Sequence, residues 1–176
     1  MSKRRRGRET AMDMVRSLGV VLLIAAGLLY LHRAPAASSR VVRVIDPLND
    51  VRAFQRAVPT AVVPGFLPAT WRPTSSNYTA APPRLRIGYV TPIEQYAEFD
   101  AQAGPPGTFV ADLTAHGRDV GSVQAGGRTW REVRGSGGSL SLVWSGPELT
   151  VVLGSFRDSA PIEELTVLAE SLTPRG

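Results

Sequence analysis

The feature that most constrains this chain is an apolar run near its start, from Leu18 to Leu31, with the sequence LGVVLLIAAGLLYL. The run is 14 residues long, whereas a helix that crosses a bilayer needs about 20 residues, with a lower limit near 17. Arg16 on one side and His32 and Arg33 on the other can extend the usable length, because long cationic side chains reach back to the lipid headgroups. The run therefore predicts a transmembrane helix over residues 17–33.

The charges around the run predict its orientation. Residues 1–16 form a basic tail with six cationic side chains: Lys3, Arg4, Arg5, Arg6, Arg8 and Arg16. On the other side, Arg33 alone follows the run closely. The positive-inside rule then places the N-terminus in the cytoplasm and everything after the run outside. We expect a signal-anchor protein that crosses the cell membrane once.

Other interpretations of the same segment stay open. Ala34-Pro35-Ala36 has the small residues that a signal peptidase reads, so cleavage after Ala36 would make the run a secretory signal. A buried helix of a soluble protein is the third interpretation. A lipoprotein anchor is excluded because no Cys follows the run.

Charge and cysteine content exclude several classes of function. The net charge of the whole chain is +5, but from Ala34 onward thirteen Arg balance thirteen Asp and Glu residues. A neutral domain lacks the bulk attraction to phosphates on which nucleic-acid binding depends, so we expect no nucleic-acid partner. The absence of Cys also excludes disulfides, thiolate nucleophiles and Cys-based metal sites.

After the run, residues 34–45 read as a linker and residues 46–176 as one exterior domain. Asp46-Pro47 is a helix-start signal, and the helix that follows is expected to bury one face and to end at Pro59. That face carries Leu48, Val51, Phe54 and Val58. A second helix closes the domain, capped by Ser159 with Pro161 in its first turn. Its predicted buried stripe is Ile162, Leu165, Leu168 and Leu172.

Between these helices the pattern is that of short strands joined by tight turns. RLRIGYV at 84–90 alternates apolar and polar residues, and Gly126-Gly127 is a hairpin signal. Further strands are predicted at 71–79, 95–100, 120–124, 128–134, 140–144 and 149–156, with a short helix at 108–115. Strands joined by tight turns pair antiparallel. The predicted fold is therefore α+β, with an antiparallel sheet of about six or seven strands and two or three packed helices.

Several segments together resemble a known family. These are RRRGRETAMDMVRSL, FLPATWRPTS, IGYVTPIEQYAEF, the GGRTWREV hairpin and the closing helix. They are similar to the actinobacterial family called domain of unknown function 4245. The resemblance covers most of the chain and implies a single-pass membrane or exported protein, but it implies no activity and no functional residues. A looser likeness in shape is to the Mog1/PsbP-like fold.

Candidates for catalysis are few. His116 is the single His after the run, and Asp112 and Asp119 flank it, so it is a candidate general base with an orienting carboxylate. Paired acids for glycoside hydrolysis are conceivable among Glu94, Glu98 and Asp100. Polar loop and strand surfaces explain both patterns more simply, since no nucleophile motif accompanies them. We therefore expect no enzyme, no catalytic residue, no cofactor and no metal site.

The best surface candidate is the proline-rich apolar loop from Val62 to Pro68. Phe66 and Leu67 could contact a partner there, although the loop could also fold back onto the sheet. The hypothesis is a membrane-anchored, non-catalytic module that binds an envelope protein or ligand. The alternatives are an exterior hydrolase using His116 with nearby carboxylates, and a lipid- or glycan-binding module.

Overall fold

The computed structural model describes residues 43–154 and 160–174, together with Leu18 and Val21. The chain divides into two compact units, Met1–Val41 and Val42–Gly176. In the first unit, Leu18 and Val21 are helical and exposed. The rest of the predicted tail and membrane helix, and all of the linker before Arg43, lie outside the described residues. None of the described helices has the length and apolar character needed to cross a bilayer.

In its described part the second unit has three helices and nine strands. The helices are α1 (Leu48–Ala57), α2 (Phe109–Leu113) and α3 (Ile162–Glu170). The first five strands are β1 (Val62–Pro64), β2 (Arg72–Ala80), β3 (Pro83–Val90), β4 (Tyr96–Ala103) and β5 (Arg118–Ala125). The last four are β6 (Arg128–Arg134), β7 (Leu140–Ser145), β8 (Leu149–Leu153) and β9 (Leu172–Pro174).

Seven strands form one antiparallel sheet in the order β2-β3-β4-β8-β7-β6-β5. The sheet consists of two meanders, β2–β4 and β5–β8, which meet where β4 pairs with β8. The connection between the meanders runs from a central strand to the far edge and contains α2. A second, two-stranded sheet pairs β1 with β9. The predicted α+β class with an antiparallel sheet is confirmed.

One face of the large sheet carries the main core. Alternate residues of β3 and β4, among them Leu85, Ile87 and Phe99, are fully buried on this face. Phe54 of α1 and Leu165 of α3 pack against them. Each buried side chain of this size stabilises the fold by about 1.5–3 kcal/mol. Because most of the buried apolar side chains lie in this cluster, this face supplies most of that stabilisation.

The opposite face of the same sheet is only partly apolar. Phe109 of α2 packs there on Val133, Val143 and Val152, which lie on β6, β7 and β8. This small cluster covers the middle of the sheet. The helices therefore do not all lie on one face of the sheet, and the β3–β4 part of the second face is left to polar side chains.

The structure corrects three local predictions. Val62–Pro64 is not a loop but a strand, because it pairs with the distant β9. Leu172 is buried but begins β9 instead of extending the last helix, which ends at Glu170. Leu48, predicted on the buried face of α1, is half exposed. The predicted cap Ser159 lies outside the described residues.

Turn geometry at one predicted hairpin follows the sequence signal. Gly126 and Gly127 join β5 to β6 with φ of 56° and 71°. A two-residue hairpin loop with positive φ at both positions matches the right-handed twist of its strands, and glycine adopts this conformation without steric cost. The prediction of a hairpin turn here is confirmed.

Candidate functional site

Four charged side chains meet on the second face of the sheet because of strand alternation and register. Arg84 and Arg86 alternate along β3 with buried Leu85, and Glu98 and Asp100 alternate along β4. The register places Arg86 opposite Asp100. Since side chains directly opposite or diagonal across antiparallel strands can interact, the two strands create a charged network.

Asp100 is the centre of this network. Its side chain is 1% exposed, and it accepts hydrogen bonds from Arg84 Nε to Oδ1 at 2.7 Å and from Arg84 Nη2 to Oδ2 at 2.5 Å. Arg86 Nε donates a third hydrogen bond to Oδ2 at 2.9 Å. The hydrogen bond with Asp100 raises the pKa of the Arg84 guanidinium, against the opposing effect of burial. Paired in this way, the buried carboxylate is well compensated.

Glu98 is held by different neighbours. The Tyr96 hydroxyl donates a hydrogen bond to Glu98 Oε2 at 2.8 Å, and Arg86 Nε lies 3.2 Å from Oε1. Burial raises the pKa of the Glu98 carboxyl, although the Tyr96 hydrogen bond and the Arg86 charge act in the opposite direction. Burial and the Glu98 charge together raise the pKa of Tyr96 to about 12.

Gly88 on β3 makes room for this arrangement. It stands opposite Glu98, and a Cβ atom added there would collide with the Tyr96 hydroxyl and Ser75 Oγ. The absence of a side chain therefore allows the Tyr96 ring to lie over β3 and to reach Glu98.

Two members of the network, Arg84 and Arg86, line a cleft of about 500 Å³ between the sheet and the segment that contains α2. We call it the Arg86 cleft; Arg84, Arg86 and Gln102 line it from the sheet, and Pro106 to Phe109, Asp112 and Leu113 line it from the other side. The Arg84 guanidinium also stacks 5.0 Å from the centre of the Phe109 ring. This stacking fixes Arg84 at the boundary between the apolar cluster and the cleft.

Two side chains of the Arg86 cleft have hydrogen-bonding groups that are not used within the described residues. Within the described residues, Arg86 donates its side-chain hydrogen bond through Nε, neither of its terminal amino groups donates one, and the side chain is 44% exposed. The carboxylate of Asp112 has no hydrogen-bond or ion-pair partner among those residues either, although its charge contributes to the raised pKa of Arg84. The cleft thus presents a free donor group on one wall and a free acceptor group on the other.

The predicted base at His116 lacks its orienting carboxylate. His116 is exposed, has φ of 52°, and lines a different cleft of about 400 Å³ on the other side of α2. Asp112 lines the Arg86 cleft instead. Asp119 shares the His116 cleft, but both of its carboxylate oxygens accept hydrogen bonds from Arg131 Nη1 at 2.9 Å.

Of the three predicted acids, Glu98 and Asp100 lie together and Glu94 lies apart. Glu98 and Asp100 lie on the same strand face, as the alternation predicted. Glu94 lies in the turn before β4, where Arg72 Nη2 contacts its Oε1 at 2.5 Å. In the part of the chain that the structure describes, no three acidic or His side chains are close enough together to hold a metal ion.

Phe66 and Leu67, the predicted interaction surface, differ in their surroundings. Phe66 is 91% exposed, whereas Leu67 packs partly against the main core. The loop is held at its start by the Gly65 N–H, which donates to the Ser171 carbonyl at 2.9 Å. The loop therefore folds back through Leu67 and presents Phe66 to solvent.

A family comparison covers nearly the whole chain. The profile of the family described as "Protein of unknown function (DUF4245)" matches residues 6–172. The chain belongs to this family. The DUF4245 match includes the apolar run, both meanders of the sheet and the closing helix. No curated protein and no solved structure gave a match, so the likeness to the Mog1/PsbP-like fold stays a prediction.

The sequence did not lead to a prediction of the Arg84–Asp100 pair of this DUF4245 domain. The alternation in RLRIGYV predicts the strand from its apolar face, and this pattern does not single out Arg84 and Arg86 on the polar face. The available signal was the two arginines at alternate positions of β3 together with Glu98 and Asp100 at alternate positions of β4. Opposite charges at this spacing on neighbouring strands favour cross-strand pairs.

Proposed function

We propose that the chain is a single-pass membrane-anchored protein whose exterior domain is a non-catalytic ligand-binding module. We assign its ligand to the Arg86 cleft. The observation that carries the proposal is that this cleft contains hydrogen-bonding groups that are unused within the described residues. The terminal amino groups of Arg86 can donate and the carboxylate of Asp112 can accept, and both side chains line a space of about 500 Å³. Ligand sites of small molecules occupy about 300–1,000 Å³ and combine a few well-placed polar groups with an enclosing wall.

Binding is favoured over hydrolysis by the state of the two buried acids. A glycosidase needs one carboxyl group as acid and another as base or nucleophile beside the scissile bond. Asp100 accepts three hydrogen bonds from two guanidinium groups and is almost fully buried. Glu98 is bound by Tyr96 and Arg86. Neither carboxylate can reach a substrate without breaking these contacts, so the network is better suited to positioning Arg86 than to transferring protons.

The charge balance of the cleft indicates the class of ligand. Arg84 and Arg86 are matched by Asp100 and Glu98, and Asp112 adds one further negative charge. The cleft therefore has no excess positive charge to attract a phosphate or carboxylate ligand. A neutral hydroxyl-rich ligand fits better, because each hydroxyl both donates and accepts and so can use Arg86, Asp112 and the Gln102 amide together. We propose a carbohydrate of the cell envelope.

The membrane anchor is supported by the sequence. The apolar run, its basic leading tail and the neutral remainder of the chain together favour a tethered exterior domain. A carbohydrate site of a few hydrogen bonds binds weakly, since each contributes about 0.5–1.5 kcal/mol net. Confinement to the membrane surface raises the effective concentration of such a module near its ligand.

The experiment is a titration of the full-length protein in nanodiscs with neutral oligosaccharides, followed by NMR. Maltotetraose, cellotetraose and chitotetraose are the probes, and inorganic phosphate tests anion binding. Arg86→Ala is compared with Arg131→Ala, because Arg131 is similarly exposed on the same sheet face but lies outside the cleft. Asp112→Asn removes the negative charge and replaces one acceptor oxygen with a donor amide group, without removing a side-chain hydrogen bond or ion pair within the described residues.

We expect at least one oligosaccharide to bind, and Arg86→Ala to weaken it about tenfold or more, since a hydrogen bond from a charged donor contributes about 1.5–3 kcal/mol. Asp112→Asn should weaken the same oligosaccharide, and Arg131→Ala should leave its affinity unchanged. Binding of phosphate alone, or equal losses in Arg86→Ala and Arg131→Ala, would refute the carbohydrate assignment. Absence of binding by every probe would refute the site.

A further inference from the structure

Exposed apolar side chains are concentrated at one end of the domain. Among the described residues from 43 to 174, six large hydrophobic side chains are exposed: Val44, Leu48, Phe66, Ile93, Val120 and Val167. The first four, which we call the apolar patch, are each half or more exposed. Each of the four lies within a few residues, along the chain, of a residue that belongs to or contacts the start of β2.

Val44 and Ile93 are linked to β2 by their neighbours. The N–H of Ile45 donates to the Pro73 carbonyl at 2.9 Å, which places Val44 beside the start of the strand. Glu94 contacts Arg72 at 2.5 Å, which places Ile93 on the same end. The segment before α1 and the β3–β4 turn therefore lie at the same end of the sheet, beside the start of β2.

Leu48 and Phe66 lie near the same end along the chain. Leu48 stands three residues after Ile45, at the first position of α1, where its N–H donates to Asp46 Oδ1 at 3.0 Å. Phe66 stands two residues before Pro68, whose carbonyl accepts from the Trp71 N–H at 2.9 Å. The Trp71 ring then packs edge-on against Tyr89, with ring centres 6.0 Å apart. Phe66 is thus presented on a loop supported by buried aromatic residues.

The path of the chain indicates what covers the apolar patch. Eleven residues, 32–42, separate the apolar run from Arg43, and an extended chain spans at most about 3.5 Å per residue, or roughly 40 Å in all. If the run is a membrane anchor, the covalent connection keeps Arg43, next to Val44 of the patch, within this distance of a bilayer. Arg43, which is exposed, adds a cationic side chain suited to lipid phosphates.

We infer that the apolar patch docks on the outer leaflet of the bilayer, with Phe66 inserted at the boundary of headgroups and acyl chains. Apolar side chains in this setting bury about 5–10 Å deep. Aromatic rings are enriched at this depth in membrane proteins. Docking through the patch would hold the domain in one orientation on the membrane. The inference rests on the membrane anchor of the proposed function, and the experiment separates the two.

The experiment places tryptophan at position 66 as a depth probe. Full-length Phe66→Trp is reconstituted in phosphatidylcholine and phosphatidylglycerol vesicles with bromine on carbons 6 and 7 of the acyl chains, which quenches nearby tryptophan. The wild-type protein gives the background of Trp71, Trp130 and Trp144. Val120→Trp is the matched control, because Val120 is exposed on β5, at the opposite edge of the sheet from β2, about 29 Å away at 4.8 Å per strand.

The result expected is a blue shift and a loss of the position-66 emission in brominated vesicles, with no loss at position 120. Equal emission from Phe66→Trp in brominated and ordinary vesicles, in a chain that resists carbonate extraction, would overturn the docking and leave the anchor intact. Extraction of the chain by carbonate would overturn the anchor and the docking together. Equal quenching at positions 66 and 120 would also overturn docking through the patch.

Discussion

Arg84 and Asp100 pair diagonally across β3 and β4 through two parallel hydrogen bonds, Nε to Oδ1 at 2.7 Å and Nη2 to Oδ2 at 2.5 Å. The Asp100 carboxylate is the buried member of this pair, and Arg86 adds a third hydrogen bond to it. The opposite side of the Arg84 guanidinium stacks on Phe109 of α2. The pair therefore connects the β2–β4 meander to the helix that forms the far wall of the Arg86 cleft.

The first prediction concerns Asp100. Asp100→Asn should lower the free energy of unfolding by about 2–3 kcal/mol, because removing one partner of a buried ion pair costs about 3–5 kcal/mol and both arginines keep partial contact with water. Chemical denaturation of the full chain measures it. Asp119→Asn is the control, since its pair with Arg131 is about half exposed on both sides and should contribute less than about 1 kcal/mol. Equal losses in the two variants would show that burial of Asp100 has no energetic consequence.

The second prediction concerns the pH dependence of stability at Glu98. Burial raises the pKa of the Glu98 carboxyl in the folded state, so the folded state binds this proton more readily than the unfolded state. Its contribution to the free energy of unfolding is fully present below the unfolded pKa and is lost as the pH rises through the folded pKa. The free energy of wild type minus that of Glu98→Gln should therefore increase as the pH falls from about 7 to about 4.

Denaturant titrations of both proteins across this pH range measure the difference. Subtracting Glu98→Gln cancels the titration of the other carboxyl groups, because both proteins contain them. A difference that decreases on acidification would mean that the ion pair with Arg86, and not burial, controls the ionisation of Glu98.

Much of the sheet could be predicted from the sequence, and the reason is local. The alternation in RLRIGYV gave β3, and Gly126-Gly127 gave the β5–β6 hairpin, because strand periodicity and turn chemistry depend on neighbouring residues. β1 could not be found this way. Val62–Pro64 is three residues long and contains proline, and its partner Leu172–Pro174 is more than a hundred residues away in the sequence.

The site was harder to predict than the sheet, because it depends on register. Arg84 and Asp100 are 16 residues apart, and they meet only because Arg84 faces Gln102 and Arg86 faces Asp100 in the β3–β4 pairing. A shift of one residue would turn both arginines to the other face. The position of α2 over the second face is likewise a property of the tertiary packing, so the cleft and the free Asp112 could not be inferred from spacing.

The third prediction compares the contributions of Phe54 and Phe66 to the free energy of unfolding. Phe54 is fully buried, and Phe66 is 91% exposed. Phe54→Ala should lower the free energy of unfolding by about 3–5 kcal/mol, since it leaves a cavity in the core, whereas Phe66→Ala should change it by less than about 0.5 kcal/mol. Thermal or chemical denaturation compares them. A large loss in Phe66→Ala would mean that this side chain stabilises the domain and does not serve as a contact surface.

The fourth prediction concerns Gly88. Gly88→Ala places a methyl group against the Tyr96 hydroxyl and Ser75 Oγ, and overpacking of this kind costs about 1–3 kcal/mol. Because the displaced Tyr96 hydroxyl would lose its hydrogen bond to Glu98, the combination with Tyr96→Phe should cost less than the sum of the single changes. A double-mutant cycle of unfolding free energies measures this coupling. Strict additivity would show that Gly88 and Tyr96 do not share the same space.

The most direct test of the account is to map where an oligosaccharide contacts the domain. Backbone amide shifts of the full-length protein in nanodiscs, followed by NMR during titration with the best-binding tetrasaccharide, locate the site residue by residue. The account predicts that the largest shifts fall on Arg86, Gln102, Thr108 and Asp112, which line only the Arg86 cleft, while Asp119 and Arg131 on the other side of α2 stay unchanged. Shifts confined to the His116 cleft, or to no contiguous surface, would contradict the assignment of the Arg86 cleft as the ligand site.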